Sequence, residues 1–251
     1  LTQNIADLAN RFQTDGFVLV RGLIEAAEVS DLDLQIERYI REVVPTILPQ
    51  HVFYESGRSG PVKHLSTPEL YDEFFQTMLT RPATVELITA CLSQPVEPLC
   101  SEVFYKPAHV GSAAPYHQDN AYLHFDPAEG AVVWIALDDV TLENGAVHFA
   151  RGSHLGGERP HDETGVPLFS KGMASSPAAD EYPEVPALLR RGDASIHHIL
   201  CAHRSGPNLT DQNRRGFVVN YKSVRAQTDP IRAAAHAAYL ARIKTDGETQ
   251  A

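Results

Sequence analysis

His117-Gln118-Asp119 sets two metal-binding side chains two residues apart. On a strand, residues i and i+2 project to one face, so His117 and Asp119 can share an ion while Gln118 points away. One imidazole and one carboxylate suit a divalent first-row metal. A second imidazole would complete a two-histidine, one-carboxylate face with open coordination positions. Alone, the tripeptide is more often three polar surface residues. A second piece lies at His203-Arg204-Ser205-Gly206-Pro207-Asn208, closing the apolar run from Ile196 to Ala202. Gly-Pro-Asn signals a turn, and the stretch from Arg214 to Tyr221 reads as a returning strand. A hairpin with a long loop would bring Arg214 back beside Ser205, which shares a face with His203. A dicarboxylic acid could then chelate the metal at one end and lay its far carboxylate on Arg214. The planar guanidinium matches a carboxylate in two hydrogen bonds. Arg214 could equally be a solvated arginine, and Arg215, facing the other way by alternation, is read as one. His197 shares the His203 face and is expected to line the pocket; His198 faces away. His64, His109, His148, His154 and His161 are read as surface or structural histidines.

The elements that must position these residues fall into two halves. Ile5, Leu8, Ala9 and Phe12 recur at helical spacing, and Asp15-Gly16 ends the pattern. Phe17 to Val20 reads as a strand. Val29, Leu32, Ile36, Ile40 and Val43 form one helical stripe that Pro45 and Pro49 stop. Residues 67–79 and 82–92 read as two more helices, with Pro82 in the first turn of the second. From about residue 97 the chain changes to short β-type runs separated by Gly, Pro, Asn and Asp. Strands are expected near 99–105, 115–119, 131–138, 146–149, 194–203 and 215–222. Residues 156–187, rich in Gly, Pro and Ser, suit a lid or mobile loop. A last helix is expected near 231–243. Helices first and strands after predict a single mainly β domain over 1–251. A helical layer, mostly 1–95, is expected to pack on an all-β barrel or jelly-roll core at about 97–223.

Composition limits the partners. The 251 residues carry a net charge of −11, with 43% hydrophobic and 21% charged residues, the profile of an ordinary globular chain. A nucleic-acid binder would need a basic face. No apolar run reaches the length of a membrane span, and Leu1 to Ala9 shows no secretory signal. Three cysteines, Cys91, Cys100 and Cys201, make no disulfide framework and fit a reducing, cytoplasmic setting as buried small residues.

In combination the motifs resemble the phytanoyl-CoA dioxygenase-like family of iron(II)/2-oxoglutarate-dependent oxygenases. The residues that carry the likeness are His117-Gln118-Asp119, the tryptophan-bearing strand at 132–138, and Leu142-Glu143-Asn144-Gly145-Ala146 with Arg151-Gly152-Ser153-His154. Gly192-Asp193 and His203 to Asn208 followed by Arg214-Arg215 complete it, over about residues 15 to 223. The resemblance implies a double-stranded β-helix, or jelly-roll, core. It implies Fe(2+) on His117, Asp119 and His203 as the catalytic residues, with 2-oxoglutarate and O2 as cosubstrates. The far carboxylate of 2-oxoglutarate would lie on Arg214 and Ser205. Lys63, Trp134 and Glu102 match further cosubstrate positions, although an acid beside an anion needs a proton or a water between them. Related halogenases lack the carboxylate that Asp119 supplies, so hydroxylation or a related C–H oxidation of a small molecule is the expected outcome. Tyr54 with the 51–60 loop, Tyr116, Asn120, Tyr122 and His197 are the expected substrate neighbours. No basic cluster suits a coenzyme A phosphate, so a small polar metabolite is expected rather than a thioester. A cupin-like metalloenzyme without 2-oxoglutarate and a non-catalytic metal-binding jelly roll remain as alternatives. Neither would need Arg214 and Ser205 behind the metal.

Overall fold

The computed structural model describes residues 3–55, 60–109, 111–165 and 168–249, with side chains to residue 243. Helix α1 (Ile5–Asp15) starts where the Asn4 side chain accepts the amides of Ala6 and Asp7, and it buries Leu8 and Phe12. Gly16 ends it at φ +81°, a conformation open to glycine. Strand β1 (Phe17–Val20) leads to α2 (Ala26–Arg38), whose Glu25/Glu28 capping box precedes buried Val29, Leu32 and Ile36. The expected stripe continues through one wide π turn, Tyr39–Val43, before Pro45 ends it. A short hairpin follows, β2 (Val52–Tyr54) and β3 (Val62–Ser66). The helix expected over 67–79 is broken. Thr67 sits at φ +51°, a 3-10 turn spans Pro68–Leu70, and Asp72 caps α3 (Glu73–Leu79) through the Phe74 amide. Pro82 opens α4 (Pro82–Leu92) as expected.

The second half is a sandwich of antiparallel strands. In chain order they are β4 (Val96–Lys106), β5 (Ala114–His117), the one-turn helix α5 (Asn120–Leu123), β6 (Phe125–Asp126), β7 (Gly130–Ala136) and β8 (Val147–Ala150). Then come β9 (His161–Glu163), β10 (Lys171–Met173), β11 (Glu184–Pro186), β12 (Ala194–His198), β13 (His203–Ser205), β14 (Arg214–Ser223) and β15 (Gln227–Thr228). Helix α6 (Pro230–Thr249) closes the chain and runs past both ends of the expected 231–243. The large sheet has the order β1-β12-β7-β14-β4-β3-β2, and the small one β11-β8-β13-β5. This is the expected jelly roll with its helical layer.

Period-2 alternation divides each central strand between two cores. Ala131, Val133 and Ile135 of β7 pack towards the helices with Ile196, Phe217, Val219 and Tyr221. Val132, Trp134 and Ala136 of the same strand turn inward with Phe149 and Val218. All seven residues of β7 are buried, which explains its continuous apolar sequence. Truncating a fully buried ring here, such as Phe217, would cost about 3–5 kcal/mol.

Four further sequence expectations need correction. The run 194–203 is not one strand. It breaks after His198, and β13 joins the opposite sheet, so β12 and β13 are separate. Arg214 does not return along β13 in a hairpin, because β14 pairs with β4 and β7. The strand expected at 115–119 ends at His117. Residues 156–187 are not a bare loop either, since β9 and β10 form a two-stranded sheet and β11 joins β8. No helix among the described residues is long and apolar enough to cross a membrane.

Candidate metal centre

His117 ends β5 and His203 begins β13, and the register sets them directly opposite. Opposed residues on neighbouring strands share a face, and the two rings lie 4.2 Å apart, centroid to centroid. Asp119 arrives by another route. The chain leaves the strand and turns into α5, with Asp119 at φ −62°, ψ −27°. The turn achieves what alternation was expected to do. Asp119 Oδ1 lies 3.7 Å from Nε2 of both His117 and His203. One ligand atom from each residue falls within 4.8 Å of the others.

The surrounding bonds prepare these atoms for an ion. Nδ1 of His117 bonds the Pro115 carbonyl at 2.9 Å, and Nδ1 of His203 bonds the Cys201 carbonyl at 3.0 Å. A carbonyl only accepts, so each Nδ1 carries the proton and each Nε2 keeps its lone pair for the centre. Burial, with His117 adjacent, pushes the His203 imidazole down to about 3. Burial would raise the Asp119 carboxyl, but His203, His197 and His117 hold it well below the usual range. His197 Nε2 donates to Asp119 Oδ2 at 2.9 Å and leaves Oδ1 for the centre. Two neutral imidazoles and one carboxylate are the protonation states a divalent metal requires.

These residues line a cavity of about 850 Å³ including its mouth. Its other end is cationic. Arg214, the first residue of β14, is 3% exposed. Its Nη2 donates to the Gly145 carbonyl at 2.9 Å, its Nε has no partner, and its guanidinium stands 5.2 Å from the centre of the Trp134 ring. Burial lowers it to about 10. Lys106 faces Arg214 in register on β4. Its Nζ donates to the carbonyls of Ser112 at 2.5 Å and Gly206 at 2.6 Å. Burial first, then Arg214 and Lys63, bring its pKa to about 7. Lys63 donates to Ser112 Oγ at 2.6 Å and pairs with Glu55 at 3.2 Å. Ser205 also lines this end. A buried guanidinium with a vacant N–H and no carboxylate partner among the described residues is a receptor for an anion. Gly216 makes room for the Trp134 ring beside it. A Cβ there would stand 2.1 Å from the Trp134 ring.

The other expected residues divide. His197, Trp134, Lys63 and Glu102 line the cavity; Tyr54, Tyr116, Asn120 and Tyr122 do not. Tyr54 sits on the edge strand β2 and packs on the helix-side core. Residues 56–59 of the 51–60 loop lie outside the described residues. Tyr116 alternates away from His117, and its hydroxyl bonds Glu184. The Asn120 side chain bridges both backbone groups of Phe125 to Glu158, which pins the turn. Tyr122 braces the His117 ring edge-on, and its hydroxyl donates to the Lys171 carbonyl at 2.7 Å. His198 faces away as expected, against Phe12 and His154. Arg215 is not simply solvated, since it pairs with Asp138 at 2.7 Å and Asp33 at 3.2 Å. Sequence reasoning missed Lys106, Asn220 and Phe169, all of which line the cavity. Lys106 was findable, because Glu102, Phe104 and Lys106 alternate on one face of β4.

Residues 12–216 match the family model described as "Phytanoyl-CoA dioxygenase (PhyH)". The chain is 29% identical to an L-proline trans-4-hydroxylase of Streptomyces griseoviridis over 91% of this chain and 90% of that protein. It is similar in structure to the non-heme monooxygenase ThoJ, with a TM-score of 0.74 and 30% identity over 88% of this chain and 79% of that one. It is also similar to EvdO2 of Micromonospora carbonacea complexed with 2-oxoglutarate, with a TM-score of 0.69 and 26% identity over 89% and 92%. The matched span carries His117, Asp119, His203 and Arg214 together, and on this ground the chain belongs to the phytanoyl-CoA dioxygenase family.

Proposed function

We propose that this protein, acting as one domain, is an iron(II)- and 2-oxoglutarate-dependent oxygenase that hydroxylates a small molecule. One observation carries the reading. A buried arginine with no anion partner among the described residues shares a cavity with two neutral imidazoles and an ionised carboxylate that face a common point. His117, Asp119 and His203 would hold the iron, which when bound supplies oxygen activation coupled to decarboxylation of the keto acid.

The chain's own residues do the rest. Arg214 takes the far carboxylate of 2-oxoglutarate in charge-assisted hydrogen bonds, with Ser205 beside it. Lys106 and Lys63 add positive charge at the same end. Trp134 lies against Arg214 and fixes the plane of its guanidinium. His197 holds Asp119 by one oxygen and so sets which oxygen faces the metal. Phe149, Val132 and Phe169 exclude water from the wall. The presence of Asp119, and a relative named for hydroxylating L-proline, support hydroxylation over halogenation.

The test is succinate formation after oxygen is admitted to protein, ferrous iron and 2-oxoglutarate. Slow succinate release that a panel of small metabolites stimulates is expected. Release that needs neither iron nor the keto acid would overturn the reading, as would an intact reaction that ignores 2-oxoglutarate.

A further inference from the structure

Two carboxylates line the cavity among the described residues, Asp119 and Glu102. Asp119 belongs to the metal centre. Glu102 has no part in the chemistry proposed above, yet it is the more deliberately held. It lies on β4 between Ser66 of β3 and Val218 of β14. His64 Nε2 donates to one oxygen at 3.0 Å, and Asn220 Nδ2 donates to the other at 3.1 Å. Its side chain keeps 24% exposure, and it lines the cavity wall.

The charge of this group follows from its partners. His64 is 3% exposed, and its Nδ1 is buried without a partner. A neutral ring uses its one N–H on Glu102 and leaves only a lone pair unmet. A protonated ring would bury a second N–H that has no acceptor, the costlier choice. Asn220 is neutral. The unit of Glu102, His64 and Asn220 therefore carries one net negative charge. Its only ion-pair contact among the described residues is His64. Lys63 contacts Ser112 and Glu55, Lys106 two carbonyls and Arg214 the Gly145 carbonyl, and none of the three has a hydrogen bond or ion pair with Glu102 among the described residues.

A dianionic cosubstrate gains nothing from such a neighbour, since like charges repel across a low-dielectric cavity. A cation does. We propose that Glu102, braced by His64 and Asn220, anchors a positively charged group of the substrate, so that the substrate class is a small molecule bearing a primary or secondary ammonium. Phe104 and Val218, beside Glu102 on the wall, receive its apolar part. The inference rests on the oxygenase reading for the place of 2-oxoglutarate, but not for the charge of the Glu102 unit.

The experiment measures binding by ligand-observed NMR on the full chain with ferrous iron, anaerobically, with and without 2-oxoglutarate. The probes are matched pairs, cyclopentylamine with cyclopentanol and piperidine with tetrahydropyran. The wild-type protein is expected to bind each amine at least about 10-fold tighter than its neutral partner, the scale of one charge-assisted hydrogen bond. Glu102→Gln is expected to bring each pair to parity while the affinity for 2-oxoglutarate holds or rises. Parity in the wild type would overturn the proposal and needs no variant. So would a loss of tenfold or more in 2-oxoglutarate affinity in Glu102→Gln, which would put Glu102 on the cosubstrate side. The amine comparison without 2-oxoglutarate stands even if the chain ignores the keto acid, so the two readings fail separately.

Discussion

Replacing Arg214 by methionine should move two properties in opposite directions. Arg214 is buried, with one carbonyl partner and a vacant Nε. Without an anion it is an uncompensated charge, and exchanging such a group for an apolar one of similar size is often neutral or stabilising, by about 1–4 kcal/mol. Against this, the Gly145 carbonyl loses its donor, at about 1–3 kcal/mol. The net change runs from a loss of about 2 kcal/mol to a gain of about 3, so the ligand-free variant should melt no more than about 8 °C below the wild type, or above it, at ~2–4 °C per kcal/mol for a chain of this size. With 2-oxoglutarate the order reverses. The ligand carboxylate loses its guanidinium and keeps only Ser205 and the nearby lysines, at about 3–5 kcal/mol. That is a rise in Kd of roughly 100- to 4,000-fold at ~1.4 kcal/mol per tenfold. At a ligand concentration of 100 times its Kd, the wild type should gain about 2.7 kcal/mol, or roughly 5–10 °C in melting temperature, and the variant almost nothing. Thermal melts and calorimetric titration with manganese(II) in place of iron read both numbers. A loss of less than tenfold in 2-oxoglutarate affinity would refute the reasoning, as would a variant that melts far below the wild type.

Three further outcomes follow from the same geometry. His203→Ala should weaken manganese(II) binding by more than the ~10- to 100-fold typical of residues that only orient a ligand, with an unchanged circular dichroism spectrum; retained binding would remove His203 from the centre. Lys106, at about 7, should take up a proton when 2-oxoglutarate binds at pH 8. Affinity should then be full below pH 7 and fall as pH rises through it. Calorimetry in buffers of different ionisation enthalpy checks this, and Lys106→Met should abolish the uptake. Ending the chain after Asp229 removes α6. Its Tyr239 hydroxyl accepts the Gly165 amide at 2.8 Å, and its His236 bonds Ser170 at 2.9 Å. The truncated protein should be cut faster within residues 156–175 by a protease at limiting concentration; equal cutting would show that α6 does not hold this segment.

Much of the site was legible because its signals are local. His117-Gln118-Asp119, the Gly-Pro-Asn turn and paired Arg214-Arg215 are short motifs, each of which alone reads as an ordinary polar stretch of surface, and only their combination and order point to one site. The route by which they meet was not legible. Alternation was expected to place Asp119, but a helical turn places it. One strand over 194–203 was expected to carry both His197 and His203. The chain instead changes sheets between them and still brings the rings to 4.5 Å. An apolar run looks the same whether it stays in one sheet or crosses to another. Tyr116 and Tyr122 were chosen for their nearness in sequence to the ligands, and hydrogen bonds to Glu184 and the Lys171 carbonyl hold them elsewhere. Glu102 gained meaning only once β3 and β14 were laid beside β4, since its partners His64 and Asn220 are 38 and 118 residues away, and Lys106 reaches across 100 residues to the Gly206 carbonyl.

The most direct measurement is an anaerobic titration of the ferrous protein with 2-oxoglutarate, followed by the visible charge-transfer absorbance of the metal–keto acid chelate. One equivalent of iron and one of 2-oxoglutarate should saturate the band in the wild type, and His203→Ala should show none. A wild-type protein that binds iron but gives no band, or a His203→Ala protein that gives the full band, would contradict the assignment.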